Sequence, residues 1–162
     1  MRRAGIHVLL VVLSILPAFG CGPIVDLTKG LQVEIVSSGW FDAGIFDRKN
    51  KLVPSVSFKL KNVSTQKLPV LQINALFHRV GETDEWGSGF LTAVGSEGLA
   101  PGAETAVLTI RSQLGYTGTE SRDEMFKNSR FVDATVDLLG KYGSTQWTRL
   151  GQYPIARQLI LR

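Results

Sequence analysis

The sequence predicts an all-β protein that folds as an antiparallel β-sandwich, and three observations support this. Apolar and polar residues alternate with a period of two in several short segments, which is typical of half-buried strands. Glycine and proline mark turns between these segments at fairly even spacing. The composition, 44% hydrophobic and 20% charged over 162 residues, is that of a folded chain with one domain.

Residues 1–20 have the pattern of a targeting segment. Arg2 and Arg3 form a positively charged start, an almost continuous apolar run covers residues 6–16, and Pro17 ends it. A spanning helix needs roughly 20 apolar residues, so this run favours a cleaved signal peptide over an uncleaved membrane anchor. Because both arginines would leave with the leader, the formal charge of +4 overstates that of the mature domain. A nearly neutral domain gives no reason to expect nucleic acid as a partner.

The only cysteine of the chain directly follows this leader. The segment Ala18-Phe19-Gly20-Cys21 resembles the lipobox of bacterial lipoproteins, which it matches at Gly20 and Cys21 and from which it departs at Ala18 and Phe19. The resemblance implies that Cys21 carries a lipid that holds the protein at a membrane. Cleavage by the ordinary signal peptidase, which would leave a free thiol, is the alternative. A lone cysteine in an exported protein has no disulfide partner within the chain, which fits lipidation.

The same resemblance bears on the location of the protein in the cell envelope. Gly22 is not the aspartate that holds such lipoproteins at the inner membrane of enteric bacteria. In a Gram-negative cell, the expected location is therefore the periplasmic side of the outer membrane. Residues 21–30 are predicted to form a short tether that reaches at most ~30 Å, at about 3.3 Å per residue. The β-sandwich domain is predicted to cover residues 31–162.

Alternating residues define the predicted strands in chain order. Leu31–Ser37 is the first strand, and the aromatic, glycine-broken segment 38–47 is predicted to be an edge segment or a folded-over loop. Within Ser55–Phe77, two alternating runs flank a polar loop, which predicts a pair of antiparallel strands joined as a hairpin. Further strands are predicted at residues 86–94, 105–111, 131–139, 145–150 and 153–161.

The stretch 112–130 is the longest without a strand pattern. Asp123–Lys127 within it is predicted to form one or two turns of helix, because acidic residues at its start and a lysine at its end suit the helix dipole. Long loops on rigid sandwiches often carry binding functions. Tyr116 and Phe126 in this stretch are therefore candidate contacts for a partner or ligand.

This order of about seven or eight short strands with almost no helix is typical of an immunoglobulin-like β-sandwich. The middle third of the chain also resembles FxLYD and related Ig-like domains of bacterial envelope proteins. The Phe-x-Leu-Tyr-Asp core itself is replaced by residues 73–77. The resemblance implies the fold, and these domains share no enzymatic activity. It rests on Val56 to Asn62, Ser64, Leu71 to Phe77, and Leu99 to Gly102.

Residues that could carry chemistry are few. His78 is the only histidine after the leader, and its position next to the inward-facing Phe77 predicts an exposed side chain rather than a member of a Ser-His-Asp triad. One histidine and one cysteine cannot supply the roughly four ligands of a standard zinc site. The acidic loop of Glu82, Asp84 and Glu85 lacks the spacing of a calcium loop and is predicted to be a solvated turn. We therefore expect no enzyme activity, no metal and no cofactor.

Two further pairs of polar residues have simple explanations. Asp133 and Asp137 lie on one face of a predicted strand, about 13 Å apart. The carboxyl pairs of glycoside hydrolases are ~5 to 9.5 Å apart, so these aspartates are predicted to be solubilising charges. Asn62 and Ser64 have the spacing of a glycosylation acceptor but are predicted to form a turn.

Trp40 and Trp147 complete the set of candidate contacts. Core packing is the alternative for each, whereas an exposed tryptophan would mark an interface or a sugar-binding surface. With the leader and the fold, these residues predict a non-enzymatic envelope lipoprotein that acts as an accessory or scaffolding subunit through protein–protein contacts. A carbohydrate- or lipid-binding module of the cell envelope is the alternative function.

Overall fold

A computed structural model describes residues 23–161 of the chain. The predicted leader and Cys21, the predicted site of lipidation, lie outside these residues. Within residues 23–161, no helix has both the length and the apolar character needed to cross a membrane.

The described residues form a two-sheet β-sandwich, which confirms the predicted all-β class. One sheet has the strand order β5-β2-β1-β9, with β6 also paired to β2, and the other has the order β4-β3-β7-β8. All strand pairs are antiparallel except the short contact between β1 and β9. In chain order the elements are α1 (Leu27–Gly30), β1 (Leu31–Phe46), β2 (Lys49–Asn62), β3 (Leu71–Arg79), β4 (Gly87–Val94), β5 (Leu108–Arg111), β6 (Tyr116–Gly118), α2 (Arg122–Met125), β7 (Ala134–Tyr142), β8 (Thr148–Pro154) and β9 (Leu159–Ile160).

The core lies between the two sheets and is built from the alternating apolar residues. Their side chains leave water on one face of each strand, and this burial is the main favourable term in folding. Fully buried apolar residues of the central strands include Val56, Phe58 and Leu60 in β2, Ile73, Ala75 and Phe77 in β3, and Val136 and Leu138 in β7.

The predicted hairpin within Ser55–Phe77 is wrong, although both of its strands exist. β2 pairs with β1, β5 and β6 in one sheet, whereas β3 pairs with β4 and β7 in the other. Residues 63–70 therefore cross from one sheet to the other, and Leu68 is fully buried at the crossing. The alternation of apolar and polar residues predicts which face of a strand is buried, but it does not predict which strand lies beside it.

Of the two alternatives predicted for 38–47, the folded-over loop is wrong, because β1 continues through the segment to Phe46 and, among the described residues, only Trp40 and Phe41 are covered by a further strand. Two irregularities in the pairing of β1 with β2, at Val36 and at Ala43, absorb the extra residues. Asp47 and Arg48 then form a two-residue turn in which both residues have positive φ. Such a turn matches the twist of the two strands it joins, so β1 and β2 form a long hairpin.

The predicted last strand at 153–161 is divided between the sheets. β8 ends at Pro154, the chain crosses at the buried Ile155, and β9 pairs in parallel with Trp40 and Phe41 of β1. By contrast, the predicted helical turn in the long stretch is confirmed as α2. The Ser121 side chain accepts a hydrogen bond from the Glu124 N–H and caps its start.

From Pro23 onward, the segment predicted to form a short tether at 21–30 packs against the sandwich. The Val25 N–H donates to the Tyr142 hydroxyl at 2.6 Å, and the Gln66 side chain donates to the Pro23 carbonyl at 2.9 Å. Leu27 is buried in the core. Asp26 caps α1, and hydrogen bonds from the Thr28 hydroxyl and N–H lower the pKa of its carboxyl.

Asn62 joins three segments where β2 ends. Its amide group donates to the carbonyls of Gln66 and Leu99 at 2.7 and 2.8 Å, and its amide oxygen accepts from the Ser64 N–H and hydroxyl. The side chain is fully buried and has no unused hydrogen-bonding group, so it cannot serve as a glycosylation acceptor. The predicted turn at Asn62–Ser64 is therefore confirmed.

We expect Asn62→Ala to lower the free energy of unfolding by about 3 kcal/mol, because buried partners of the amide lose their hydrogen bonds. Urea unfolding followed by circular dichroism measures this change. Asn74→Ala, on the outer face of β3, is the matched control and should change stability by less than about 0.5 kcal/mol. Equal effects of the two substitutions would show that the Asn62 network does not stabilise the fold.

Candidate functional site

Trp40 is a core residue, so the prediction that it contacts a partner is wrong. Its side chain is 0% exposed. Its ring lies 4.6 Å from the Phe131 ring, 5.5 Å from that of Tyr116 and 6.1 Å from that of Trp86, measured between centroids. β1 carries Trp40 inward because the strand continues past Gly39, and residues 112–133 then fold over the ring.

Tyr116 and Phe126 belong to the same aromatic cluster. The Tyr116 hydroxyl donates to the Val132 carbonyl at 3.1 Å and accepts from the Val132 N–H at 2.9 Å. Phe126 packs edge-on against Phe131 at 5.2 Å. Both rings are half-buried and hold the long stretch onto the sandwich. As contacts for a partner or ligand they remain a prediction, but most of each ring is used in packing.

Trp147 is the exposed tryptophan among the described residues, at 39%. It lies in the connection between β7 and β8, with its ring 6.3 Å from the Phe90 ring at an interplanar angle of 80°. The Lys141 Nζ atom lies 5.1 Å from the centre of the Trp147 ring. A sugar-stacking surface needs coplanar rings, and these two rings are nearly perpendicular. The exposure favours an interface role for Trp147 over a glycan platform.

His78 is not the exposed side chain that its sequence position predicts. Its Nδ1 atom faces the Asp84 carbonyl at 3.1 Å, and its Nε2 atom lies 3.7 Å from the Asp137 carboxylate. In a Ser-His-Asp triad, one ring nitrogen faces the carboxylate and the other faces the hydroxyl. Here a backbone carbonyl takes the place of the hydroxyl, so His78 is not placed to activate a nucleophile.

The acidic residues on this side of the molecule are paired rather than clustered. Asp137 accepts from the Arg149 guanidinium at 2.6 Å, and Asp133 accepts from Arg157 at 2.8 Å. The hydrogen bond to Asp133 raises the pKa of Arg157. The predicted acidic loop of Glu82, Asp84 and Glu85 is exposed to solvent. Within residues 23–161, no group of three or more His, Cys, Asp or Glu side chains is arranged to hold a metal ion.

The tip of the β1–β2 hairpin is an exposed apolar site that the sequence did not reveal. Ile45 is 74% exposed and Phe46 is 64% exposed, although both belong to a regular strand. Lys51 lies over the Phe46 ring at 5.3 Å. We define the hairpin tip as residues 45–51. In the sequence, Gly44 interrupts the strand pattern, so the pattern alone does not indicate that Ile45 and Phe46 end a long hairpin.

A cleft lies beside the hairpin tip, between β6 and the residues that follow α2. It has a volume of about 470 Å³, within the range of small-molecule sites. Met125 and Phe131 form its apolar floor, while Lys49, Arg130 and the acidic Glu120 line it with charges of both signs. The hairpin tip and the cleft therefore lie at one end of the sandwich, which we call the distal end.

Comparison with known proteins identifies no family: no protein-family model matches the chain, and no curated protein is similar to it at a significant level. The fold and the surface therefore define the class of protein. It is a two-sheet β-sandwich whose distal end exposes the apolar side chains of Ile45 and Phe46. That end carries charges of both signs, with Lys49 in the hairpin tip and Glu82 in the β3–β4 connection.

We expect Trp40→Ala to lower the free energy of unfolding by about 4 kcal/mol, because it leaves a cavity within the aromatic cluster. Trp147→Ala should cost about 1 kcal/mol or less, since its ring is partly exposed. Chemical denaturation of both variants, followed by circular dichroism, measures the difference. A stable Trp40→Ala protein would contradict the structural role of Trp40.

Proposed function

We propose that this protein is a non-enzymatic envelope lipoprotein that acts as an accessory or scaffolding subunit. Cys21 carries the lipid, and the folded domain contacts a second envelope protein. One observation carries the partner role. Ile45 and Phe46 are exposed at the hairpin tip, so both apolar side chains face water unless a partner covers them. Large exposed apolar residues surrounded by charges are typical of protein interfaces.

The position of the hairpin tip supports this proposal. The N-terminal segment at Pro23 contacts Gln66, beyond the end of β2, while the hairpin tip lies at the start of the same strand. At about 3.3 Å per residue, β2 separates the two ends by roughly 45 Å. A lipid attached before Pro23 would therefore leave the hairpin tip pointing away from the membrane, where a partner could reach it.

The charge of the hairpin tip indicates the chemistry of the partner. Arg48 and Lys49 are exposed beside the apolar pair, and Lys51 covers one face of the Phe46 ring. Asp47 is the acidic residue of the tip. A protein surface with an apolar pocket and acidic residues around it would complement this arrangement.

The strand order supports an immunoglobulin-like relationship, which we propose for the fold. In that fold, strand C lies between C′ and F, and F lies between C and G. The order β4-β3-β7-β8 corresponds to C′-C-F-G, and β5-β2-β1 corresponds to E-B-A. The chain crosses between the sheets from β2 to β3, as it does between B and C.

The alternative is a carbohydrate- or lipid-binding module, and the cleft at the distal end favours it. Met125 and Phe131 would contact an apolar part of a ligand, while Lys49 and Arg130 would contact an anionic group. A lipid or glycan with both features is the chemical class that fits. Retention of such a ligand by the protein, and its loss in Arg130→Ser, would favour this alternative over the protein partner.

Lipidation is tested by the Cys21→Ser substitution. We expect the native protein in the membrane fraction with the mass of a lipid on its N-terminal peptide, because the acyl chains would partition into the bilayer. The variant should lack that mass and leave the membrane fraction. Native protein that is soluble and reacts with a thiol reagent would instead indicate cleavage by the ordinary signal peptidase.

The partner contact is tested by crosslinking in cells, purification through a C-terminal tag and mass spectrometry. Ile45→Ser combined with Phe46→Ser should weaken partner binding by about 2 kcal/mol, roughly thirtyfold in affinity, because central apolar contacts carry most of the energy of an interface. Val107→Ser, another exposed apolar position outside the hairpin tip, is the matched control. Capture of the same partner by the tip variant would refute the proposed site.

A further inference from the structure

One end of the sandwich is defined by contacts among four segments, and we call it the anchor end. Val63 donates to the Gly30 carbonyl, Gly143 to the Pro69 carbonyl and Val70 to the Gly95 carbonyl. These backbone hydrogen bonds join α1 and the connections β2–β3, β4–β5 and β7–β8. The first described residues, from Pro23 onward, lie against this surface.

We propose that the anchor end rests directly on the lipid bilayer and holds the domain in one orientation. This inference rests on the proposed lipidation of Cys21 and deepens it. Because the segment from Pro23 packs against the domain, Cys21 and Gly22 alone would connect the lipid to the folded part. Two residues span at most about 7 Å. The anchor end therefore cannot move away from the headgroup region by more than a few ångströms.

The side chains of the anchor end suit a bilayer interface. Ile24 is 80% exposed although it lies immediately before the packed residues Val25 and Leu27. Val63 and Val70 are also exposed on the β2–β3 connection. Trp147 belongs to the β7–β8 connection at the same end, and its ring lies beside Phe90 on the outer face of β4. Tryptophan favours the boundary between headgroups and acyl chains, since one side of its ring is apolar and its N–H is polar.

The anchor end carries both positive and negative side chains. This balance decides whether anionic or zwitterionic lipids are preferred. Lys29, Lys67 and Lys141 lie there, but so do Asp26 and Glu97. Lys141 lies beside the Trp147 ring, and such a side chain can extend its charge toward the headgroups. A nearly balanced charge gives little preference for anionic lipids. We therefore expect docking on zwitterionic phosphatidylcholine.

With the covalent anchor in place, weak contacts between the anchor end and the bilayer are enough to orient the domain. Once Cys21 is in the bilayer, docking of the anchor end is an intramolecular step with a high effective concentration. A few apolar side chains are then enough to favour one orientation, although they would not bind a membrane without the lipid. This distinguishes the anchor end from the hairpin tip, whose exposed Ile45 and Phe46 lie at the opposite end.

The experiment uses the full-length lipidated protein in phosphatidylcholine vesicles. Ser144→Cys places a thiol at the anchor end, and Ser129→Cys is its matched control at the distal end. Since Cys21 would be acylated, the introduced thiol can be labelled selectively with a fluorescent dye. Vesicles containing a spin-labelled acyl chain should quench the label at position 144 several-fold more strongly than the label at position 129. Adding Trp147→Ser should lower the quenching at position 144.

Flotation of the same vesicles separates the two proposals. Protein that floats with the vesicles but shows equal quenching at both positions would overturn the docked orientation while leaving the lipid anchor intact. Protein that does not float has no anchor, and both the lipoprotein proposal and the orientation that rests on it would then be wrong. Floating protein with selective quenching at position 144 supports both.

Discussion

The arrangement of the anchor end depends on the buried amide of Asn62. The side chain uses all of its donors and acceptors within the protein, and its own N–H and carbonyl also pair with Ala103 and Gly102. A buried polar group with every bond satisfied permits very few arrangements of its partners. Asn62 therefore determines where the chain leaves one sheet, how it enters the other, and where the surface that holds Pro23 lies.

Part of this fold can be predicted from the sequence because strand alternation is local. The apolar faces of β2, β3 and β7 follow from their residues alone, and so does the short helix before Phe126. Strand partners are not local, so alternation within Ser55–Phe77 predicts two strands but not that they lie in different sheets. Gly39 and Gly44 interrupt the pattern without ending β1, because the pairing irregularities nearby accommodate them.

The candidate site was harder to predict than the fold. Trp40 and Trp147 each follow a short stretch without apolar side chains, yet Trp40 is enclosed and Trp147 is exposed. The difference comes from residues 112–133, which fold over Trp40 from far along the chain. Exposure at the hairpin tip likewise depends on the tertiary arrangement, because no second sheet faces Ile45 and Phe46 there. A local sequence pattern therefore predicts neither the enclosure of Trp40 nor the exposure of the hairpin tip.

The uncovered edge of β1 affects how neighbouring copies would interact if the protein were concentrated on a membrane. Among the described residues, β9 covers this edge at Trp40 and Phe41, while the earlier part of β1 borders no further strand. An uncovered edge can pair with the same edge of a neighbouring copy and start aggregation. Here the bulge at Val36 twists the edge and Glu34 places a charge beside it. Two copies brought together at high density would therefore meet an irregular edge that carries a charged side chain, which opposes the growth of a continuous sheet between them.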